Sequence, residues 1–254
     1  MSSSENPDRN IFSGGVMTGK IFEAIRIIAI FLAAGMSLSA HAGLFGFGGD
    51  SWKEEALQPD GSTIIVELTV EHGGRHEIGQ EPPYKWQRLR FTIPATGEVV
   101  TWEDNYSDDV GSANFNPLLL VVFGKTAYVL NSPVNIQSLS KWGCQNPPYV
   151  IFRFQNEQWK QVPIQDLPIE VKVPNLVISS PDDVAKNAHN GVLSVEMIRM
   201  ANSGFHQPEF QSIIRKPFAK SGGCLVPIKG GGWESPGGIK RMIPIVPKDE
   251  RKHN

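Results

Sequence analysis

The densest group of potentially reactive side chains is His72-Gly73-Gly74-Arg75-His76-Glu77. Two imidazoles and a carboxylate can ligate a metal ion, and a histidine paired with Glu77 can act as a general base. Histidines four residues apart reach one metal ion when a helix places both rings on the same face. Two glycines separate these histidines, and strand-forming residues flank them, so the spacing favours a solvated turn. Catalysis by His72, His76 and Glu77 is the alternative, and the sequence predicts no metal site and no cofactor.

A second polar group is the acidic segment 102–110, with the sequence WEDNYSDDV. Its closely spaced carboxylates can bind calcium through their oxygens. An EF-hand loop needs a glycine at its sixth position and a glutamate at its twelfth, and neither is present. The segment is therefore interpreted as a solvated acidic loop between strands. Its acidic residues are Glu103, Asp104, Asp108 and Asp109.

The loop from Lys141 to Tyr149 (KWGCQNPPY) is the most distinctive in the chain. Aromatic residues beside Pro147 and Pro148 make a rigid surface of the kind that partner-binding sites use. Trp142, Pro147, Pro148 and Tyr149 are accordingly predicted to bind a partner. The alternative is a packed bend that leads into a strand at Tyr149, with Trp142 in the core.

Composition and motifs exclude several classes of function. The formal net charge is −2, and no clustered basic excess indicates nucleic acid or an anionic membrane surface. The chain contains no nucleophile elbow, no zinc-protease motif, no phosphate-binding loop and no dinucleotide fingerprint. An enzyme that assembles its site from distant residues stays possible, because such sites form in space rather than in sequence.

The segments that must position these groups are mostly strands. β-branched runs and alternation of apolar with polar residues predict strands, and short polar or glycine turns predict three hairpins. The predicted strands are Thr63–Val70, Trp86–Pro94, Glu98–Trp102, Leu118–Phe123, Thr126–Asn131, Tyr149–Phe154 and Gln158–Val162.

The periodicity changes after Ser180, where short helices are predicted. Ser180-Pro181-Asp182-Asp183 is typical of a helix start, and two further candidates are Ser194–Ala201 and Pro208–Lys216. The predicted fold class is mainly β or α+β: an antiparallel sheet of meandering hairpins followed by short C-terminal helices. We expect one β-rich domain over 43–220, helical from about 180, and a Gly/Pro-rich, partly mobile tail over 221–254.

The N-terminal segment has the pattern of a cleavable signal peptide. Lys20 and Arg26 precede the uncharged apolar run Ile27–Leu38, and Ala40-His41-Ala42 follows it. A dozen apolar residues span too little of a bilayer core of roughly 30 Å to act as a membrane anchor. We therefore predict a signal peptide over 1–42, cleaved between Ala42 and Gly43, whether translation starts at Met1 or at Met17. No later segment is predicted to span a membrane.

The two cysteines, Cys144 and Cys224, both follow the predicted leader. In an oxidising compartment, two thiols in one domain usually form a disulfide, so we expect these two to pair. Free or intermolecular thiols are the alternative.

Several stretches resemble a group of exported bacterial proteins of unknown function, many of which carry lipoprotein signals. The stretches are DSWKEE at 50–55, GGRHEIGQ at 73–80, DVGSANFN at 109–116 and the 141–149 loop. The resemblance implies export and no particular activity. The chain departs from the lipidated members at His41, where they carry the acylated cysteine, so it does not imply a lipid anchor.

Two functional hypotheses follow. The first is a non-enzymatic periplasmic or secreted protein that binds another protein or component of the cell envelope through its sheet face and the Trp142–Tyr149 loop. The second is a periplasmic hydrolase or glycan-active enzyme that uses His72, His76 and Glu77 with the acidic loop at 103–109.

Overall fold

The computed structural model describes residues 49–188, 191–219, 223–229 and 232–234. Over these residues the chain is β-rich, with mainly antiparallel sheets and short helices, which confirms the predicted fold class. The predicted leader, its cleavage site at Ala42 and Gly43, and most of the 221–254 tail lie outside the described residues. No helix within the described residues has the length and apolar character that a membrane crossing requires.

The first sheet is a meander with the strand order β4-β3-β2-β1-β9, in which only β9 runs parallel to its neighbour. Its side chains alternate between a buried face and a wet face: on β3, Leu89 and Phe91 are buried and Arg90 is exposed. This alternation is what a sheet covered on one side requires. The strands are β1 (Gly49–Leu57), β2 (Thr63–His72), β3 (Tyr84–Thr92), β4 (Val99–Asp104) and β9 (Val192–Leu193).

The second sheet has the order β5-β6-β7-β8; its strands β5 and β6 are buried on both faces, whereas its edge strand β8 is largely exposed. Leu120 and Val129 pack against the inner face of the first sheet. Leu119 and Leu130 point the other way, into a second core cluster that C-terminal residues such as Ile178 complete. Two-sided burial explains the continuous apolar run in β5. The strands are β5 (Phe115–Phe123), β6 (Thr126–Pro133), β7 (Val150–Gln155) and β8 (Gln158–Val162).

Within the described part of the chain, four short α-helices and one 3₁₀ turn connect or cover the sheets. Asn135 caps the first helix by accepting a hydrogen bond from the Ser138 amide, and Ser194 caps the third by accepting one from Met197. The helices are α1 (Ile136–Lys141), α2 (Pro181–Ala185), α3 (Val195–Asn202) and α4 (Pro208–Gln211), and the 3₁₀ turn is Ile164–Asp166. Within the tail, β10 (Val226–Pro227) pairs with β11 (Trp233–Glu234).

Strand β1 and helix α1 are absent from the predictions made from sequence. The sequence pattern of β1 does not predict a strand, because the charged residue Glu54 lies on its buried face between Trp52 and Ala56. The strand begins at Gly49, inside a glycine-rich stretch. Pairing with β2 along its whole length, rather than intrinsic propensity, establishes this strand.

Candidate functional site

His72, at the end of β2, lies beside residues that are distant in sequence. Its Nδ1 is 2.8 Å from the carbonyl oxygen of Pro82, and its Nε2 is 3.0 Å from Oδ2 of Asp182. The Tyr84 hydroxyl donates to the other oxygen, Oδ1, of the same carboxylate. Oδ2 of Asp50, at the start of β1, is 4.0 Å from Nε2. β1, β2, β3 and α2 therefore meet at one polar cluster.

The two hydrogen-bond partners of His72 favour its charged form. The carbonyl of Pro82 and the carboxylate of Asp182 can only accept, so each favours a proton on the ring nitrogen that it faces. Burial lowers the pKa of His72, but these two acceptors outweigh burial and leave the pKa raised. Burial raises the pKa of Asp182, and the donors Tyr84 and His72 reverse the effect and leave it lowered. In this arrangement His72 has no free nitrogen with which to act as a general base.

His76 and Glu77 lie in the exposed turn that follows β2. Nδ1 of His76 is 2.8 Å from the carbonyl oxygen of Gly74. Among the described residues, neither side chain hydrogen-bonds to His72. The structure thus joins His72 to Asp182 and leaves the other two residues of the predicted catalytic group in solvent.

The His72 cluster borders a cleft of about 290 Å³, which we call the His72 cleft. One residue of its lining, Pro83, packs closely against the buried Gly74, and this contact holds that side of the cleft in place. A Cβ atom at Gly74 would lie 2.6 Å from Cγ of Pro83 and 2.9 Å from the carbonyl oxygen of Gly111. Only glycine fits this position, which holds the segment bearing the Pro82 carbonyl against its neighbours.

Trp142 follows α1 and is half-buried. Its ring lies 4.9 Å from the ring of Phe115 and 5.5 Å from that of Phe152, measured between centroids. Its indole N–H donates to Oδ1 of Asn114 at 3.2 Å. Trp142 is therefore both a packing residue of the main core and a partly accessible aromatic surface.

The other predicted partner-binding residues of this loop pack more deeply. Tyr149 is 4% exposed, and its hydroxyl donates to the carbonyl oxygen of Glu209 at 2.8 Å. Pro147 is buried and Pro148 is half-buried. Of the four predicted residues, Trp142 is thus the one whose aromatic face borders an open cavity.

Cys144 and Cys224 lie at disulfide distance, with their Cα atoms 6.0 Å apart, as the sequence predicts. The bridge attaches the start of the tail to the loop after α1. The Leu225 amide adds a hydrogen bond to the Ser140 hydroxyl at 2.9 Å.

Asp104 differs from its neighbours in the predicted acidic loop, because it is only 4% exposed. It accepts hydrogen bonds from the backbone N–H and side-chain amide of Asn114, from the Phe115 N–H and from the Gln87 amide. Burial raises its pKa more than these donors lower it. Because Asn114 in turn accepts from Trp142, Asp104 positions the Trp142 ring. Its role is structural, whereas Glu103, Asp108 and Asp109 are exposed, as the prediction of a solvated acidic loop requires.

The open edge between β4 and β8 forms a second cavity of about 340 Å³, which we call the aromatic groove. Glu103 is exposed at its rim. The aromatic residues that line it include Trp102, Trp142, Phe152 and Trp159. Phe152 lies 5.9 Å from Trp102 and 5.5 Å from Trp142 between ring centroids.

At the groove, one hydrogen bond joins the edge strands β4 and β8 of the two sheets. The indole N–H of Trp159 donates to the carbonyl oxygen of Thr101 at 2.7 Å. Thr101 lies on an edge strand, so this carbonyl would otherwise face solvent. The bond fixes β8 against β4 and keeps the Trp159 ring at the groove.

Several residues of both cavities have no signature in the sequence. Asp182 was identified only as an acid in the first turn of a helix, and Tyr84 lies one residue beyond the Pro82-Pro83 pair. Only pairing of β2 with β3 and docking of α2 bring them to His72. For the aromatic groove, the sequence places Trp102 and Trp159 in predicted hairpins. Each lies at or next to one end of its predicted strand, and this shared position is the feature that could have indicated the groove.

Comparisons of this chain with protein-family models, with curated proteins and with solved structures find no match.

Proposed function

We propose that this protein is exported and that it binds a glycan of the cell envelope in the aromatic groove. The observation that carries the proposal is the composition of the groove: five aromatic side chains, Phe115 among them, line an open cavity with a carboxylate at its rim. A sugar ring has apolar C–H faces that stack on indole rings, and hydroxyl groups that donate to carboxylates. Both complementary surfaces are present at this one place.

The carboxylates favour binding over hydrolysis. Most glycosidases use two carboxyl groups, one as the acid and one as the nucleophile or base. Asp104 is committed to four donors, which leaves Glu103 as the accessible carboxylate of the groove. His72 does not supply the missing group, because both of its ring nitrogens are already engaged. We therefore infer a binding protein rather than an enzyme.

Export is inferred from the leader over 1–42 and from the resemblance to exported bacterial proteins. The cysteine pair at disulfide distance supports it, because disulfides persist in oxidising compartments. The test is fractionation of cells that express the full chain, followed by intact-mass measurement. We expect a periplasmic or secreted form that begins at Gly43. An intact N-terminus on protein recovered from the cytosol contradicts export.

Glycan binding is tested with soluble cell-wall fragments and chito-oligosaccharides as probes, using tryptophan emission as the signal. We expect a saturable change in emission for the unmodified protein. Glu103→Gln removes a charge at the exposed rim without touching the core, and it should weaken binding by about tenfold, the value of one charged hydrogen bond.

Glu157→Gln is the matched control, because Glu157 is exposed in the turn between β7 and β8. It should leave the affinity unchanged. Trp142→Ala should abolish the response, and circular dichroism must show that this variant stays folded. Unchanged binding by Glu103→Gln and Trp142→Ala, or no response to any glycan, would refute the proposal.

A further inference from the structure

We propose that Asp50, His72 and Asp182 form a binding site for a divalent transition-metal ion, with zinc as the reference ion. One potential ligand atom from each residue lies within 4.8 Å of the other two. Imidazole nitrogen and carboxylate oxygen together are ligands that zinc accepts, whereas calcium and magnesium take oxygen ligands. The proposal does not depend on export or on glycan binding.

The spacing of the ligand atoms suits a shared ion. Zinc binds nitrogen and oxygen at about 2.0–2.2 Å, so two ligands of a tetrahedral shell lie about 3.4 Å apart. Nε2 of His72 is 3.0 Å from Oδ2 of Asp182 and 4.0 Å from Oδ2 of Asp50. These separations fall on either side of the required value, and small side-chain rotations complete the shell.

The surrounding hydrogen bonds orient the ligands as metal sites require. The Pro82 carbonyl accepts the Nδ1 proton of His72, which directs Nε2 towards the ion. The Tyr84 hydroxyl donates to Oδ1 of Asp182 and leaves Oδ2 for the ion. On binding, the ion replaces the proton on Nε2, which is released to solvent.

The position of the cluster leaves room for a further ligand. Asp182 is buried and His72 is partly buried, whereas the Asp50 side chain is 56% exposed. Three protein ligands leave one coordination position open, and because His72 and Asp182 line the His72 cleft, a further ligand would approach from there. Glu81 and Asp183 also line this cleft, so its negative charge favours a cation.

The test uses protein purified from cells that express the full chain and stripped of metal with a chelator. Zinc is titrated by calorimetry, bound metal is counted by elemental analysis, and cobalt supplies a visible spectrum that reports coordination. We expect one ion per chain and a higher melting temperature with zinc. His72→Gln and Asp50→Asn should each weaken binding by at least about tenfold and change the cobalt spectrum.

His76→Gln and Asp108→Asn are the matched controls, because each changes an exposed residue of the same type that lies outside the ligand set and outside the lining of the cleft. Both should bind zinc like the unmodified protein. If His72→Gln does not fold, Asp50→Asn decides, since its side chain is largely exposed and supports no other contact that folding requires. No binding by the unmodified protein, or undiminished binding by Asp50→Asn and every folded ligand variant, overturns the proposal.

Discussion

The His72 cleft and the aromatic groove are each organised around one buried carboxylate, and the pKa values of the two are shifted in opposite directions. Asp182 in the cleft faces a tyrosine hydroxyl and an imidazole, and its pKa is lowered despite burial. Asp104 beside the groove accepts four hydrogen bonds from neutral donors, and burial raises its pKa. The hydrogen bond from Tyr84, followed by that from His72 and the charge of His72, outweighs desolvation at Asp182, whereas the four donors at Asp104 do not.

The difference separates a reactive arrangement from a structural one. In the cleft Asp182 is buried, but His72 and Asp50 are partly exposed, so the proposed metal ion could reach the cluster from solvent. The groove buries its charge behind the aromatic rings, so Asp104 fixes Asn114 and Trp142 and leaves recognition to the exposed side chains. In the proposed functions, the polar residues of the His72 cleft therefore bind the ligand directly, whereas the buried Asp104 of the aromatic groove supports the surface to which the ligand would bind.

The largest effect is expected at Asp104. Asp104→Ala leaves the buried N–H groups of Asn114 and Phe115 without an acceptor, and should lower the free energy of unfolding by about 3–5 kcal/mol. Asp182→Ala should cost less, about 1–3 kcal/mol, because His72 can turn to solvent. Urea unfolding followed by tryptophan emission measures both. Glu103→Ala, at an exposed site, should stay within about 0.5 kcal/mol. A larger loss for Asp182→Ala than for Asp104→Ala would break the comparison.

A third buried carboxylate, Glu54, sharpens the comparison because it has few donors and no cation. Burial raises its pKa from 4.5 to about 7, and the N–H groups of Trp52 and Val177 offset part of the effect. Between these values the folded protein holds a proton that the unfolded chain has released, so stability falls as the pH rises through about 7. The shift corresponds to at most about 3 kcal/mol.

Urea unfolding at about pH 5 and pH 8 tests this expectation. The unmodified protein should lose up to about 3 kcal/mol more than Glu54→Gln over this range. The amide is destabilising at every pH, because it places a donor near existing donors, so only the pH slope is diagnostic. Glu98→Gln, at an exposed turn, should keep the slope of the unmodified protein. An equal slope in Glu54→Gln would show that another group is responsible.

The smallest of these effects is expected at Gly74, in the wall of the His72 cleft. Gly74→Ala inserts a methyl group against Pro83 and the Gly111 carbonyl, and should cost about 1–3 kcal/mol. Gly204→Ala is the control, because a Cβ there meets nothing within 4 Å. Thermal unfolding measures the pair. Equal stability of the two variants would mean that the cleft wall yields easily and does not hold His72 in place.

The strands and hairpins could be predicted largely from sequence, because alternation and turn residues act over a few neighbouring positions. β8 has the predicted bounds, and β2 and β6 start where predicted. β1 could not be predicted, because Glu54 interrupts its apolar face and only pairing with β2 stabilises the strand. The catalytic hypothesis paired His72 with its sequence neighbours His76 and Glu77, whereas the structure places it beside Asp182, because the sequence does not indicate which helix docks beside β2.

The sequence by itself determined the β-rich class, the turn positions and the availability of two cysteines for one bridge. It did so because strand periodicity and turn chemistry are local properties of the chain. Tertiary structure alone decided that Asp182 meets His72, that the buried Asp104 positions Trp142 through Asn114, and that five aromatic residues line one groove. These contacts depend on strand order and on packing between residues far apart in the chain, where the free energy comes from burial rather than from local preference.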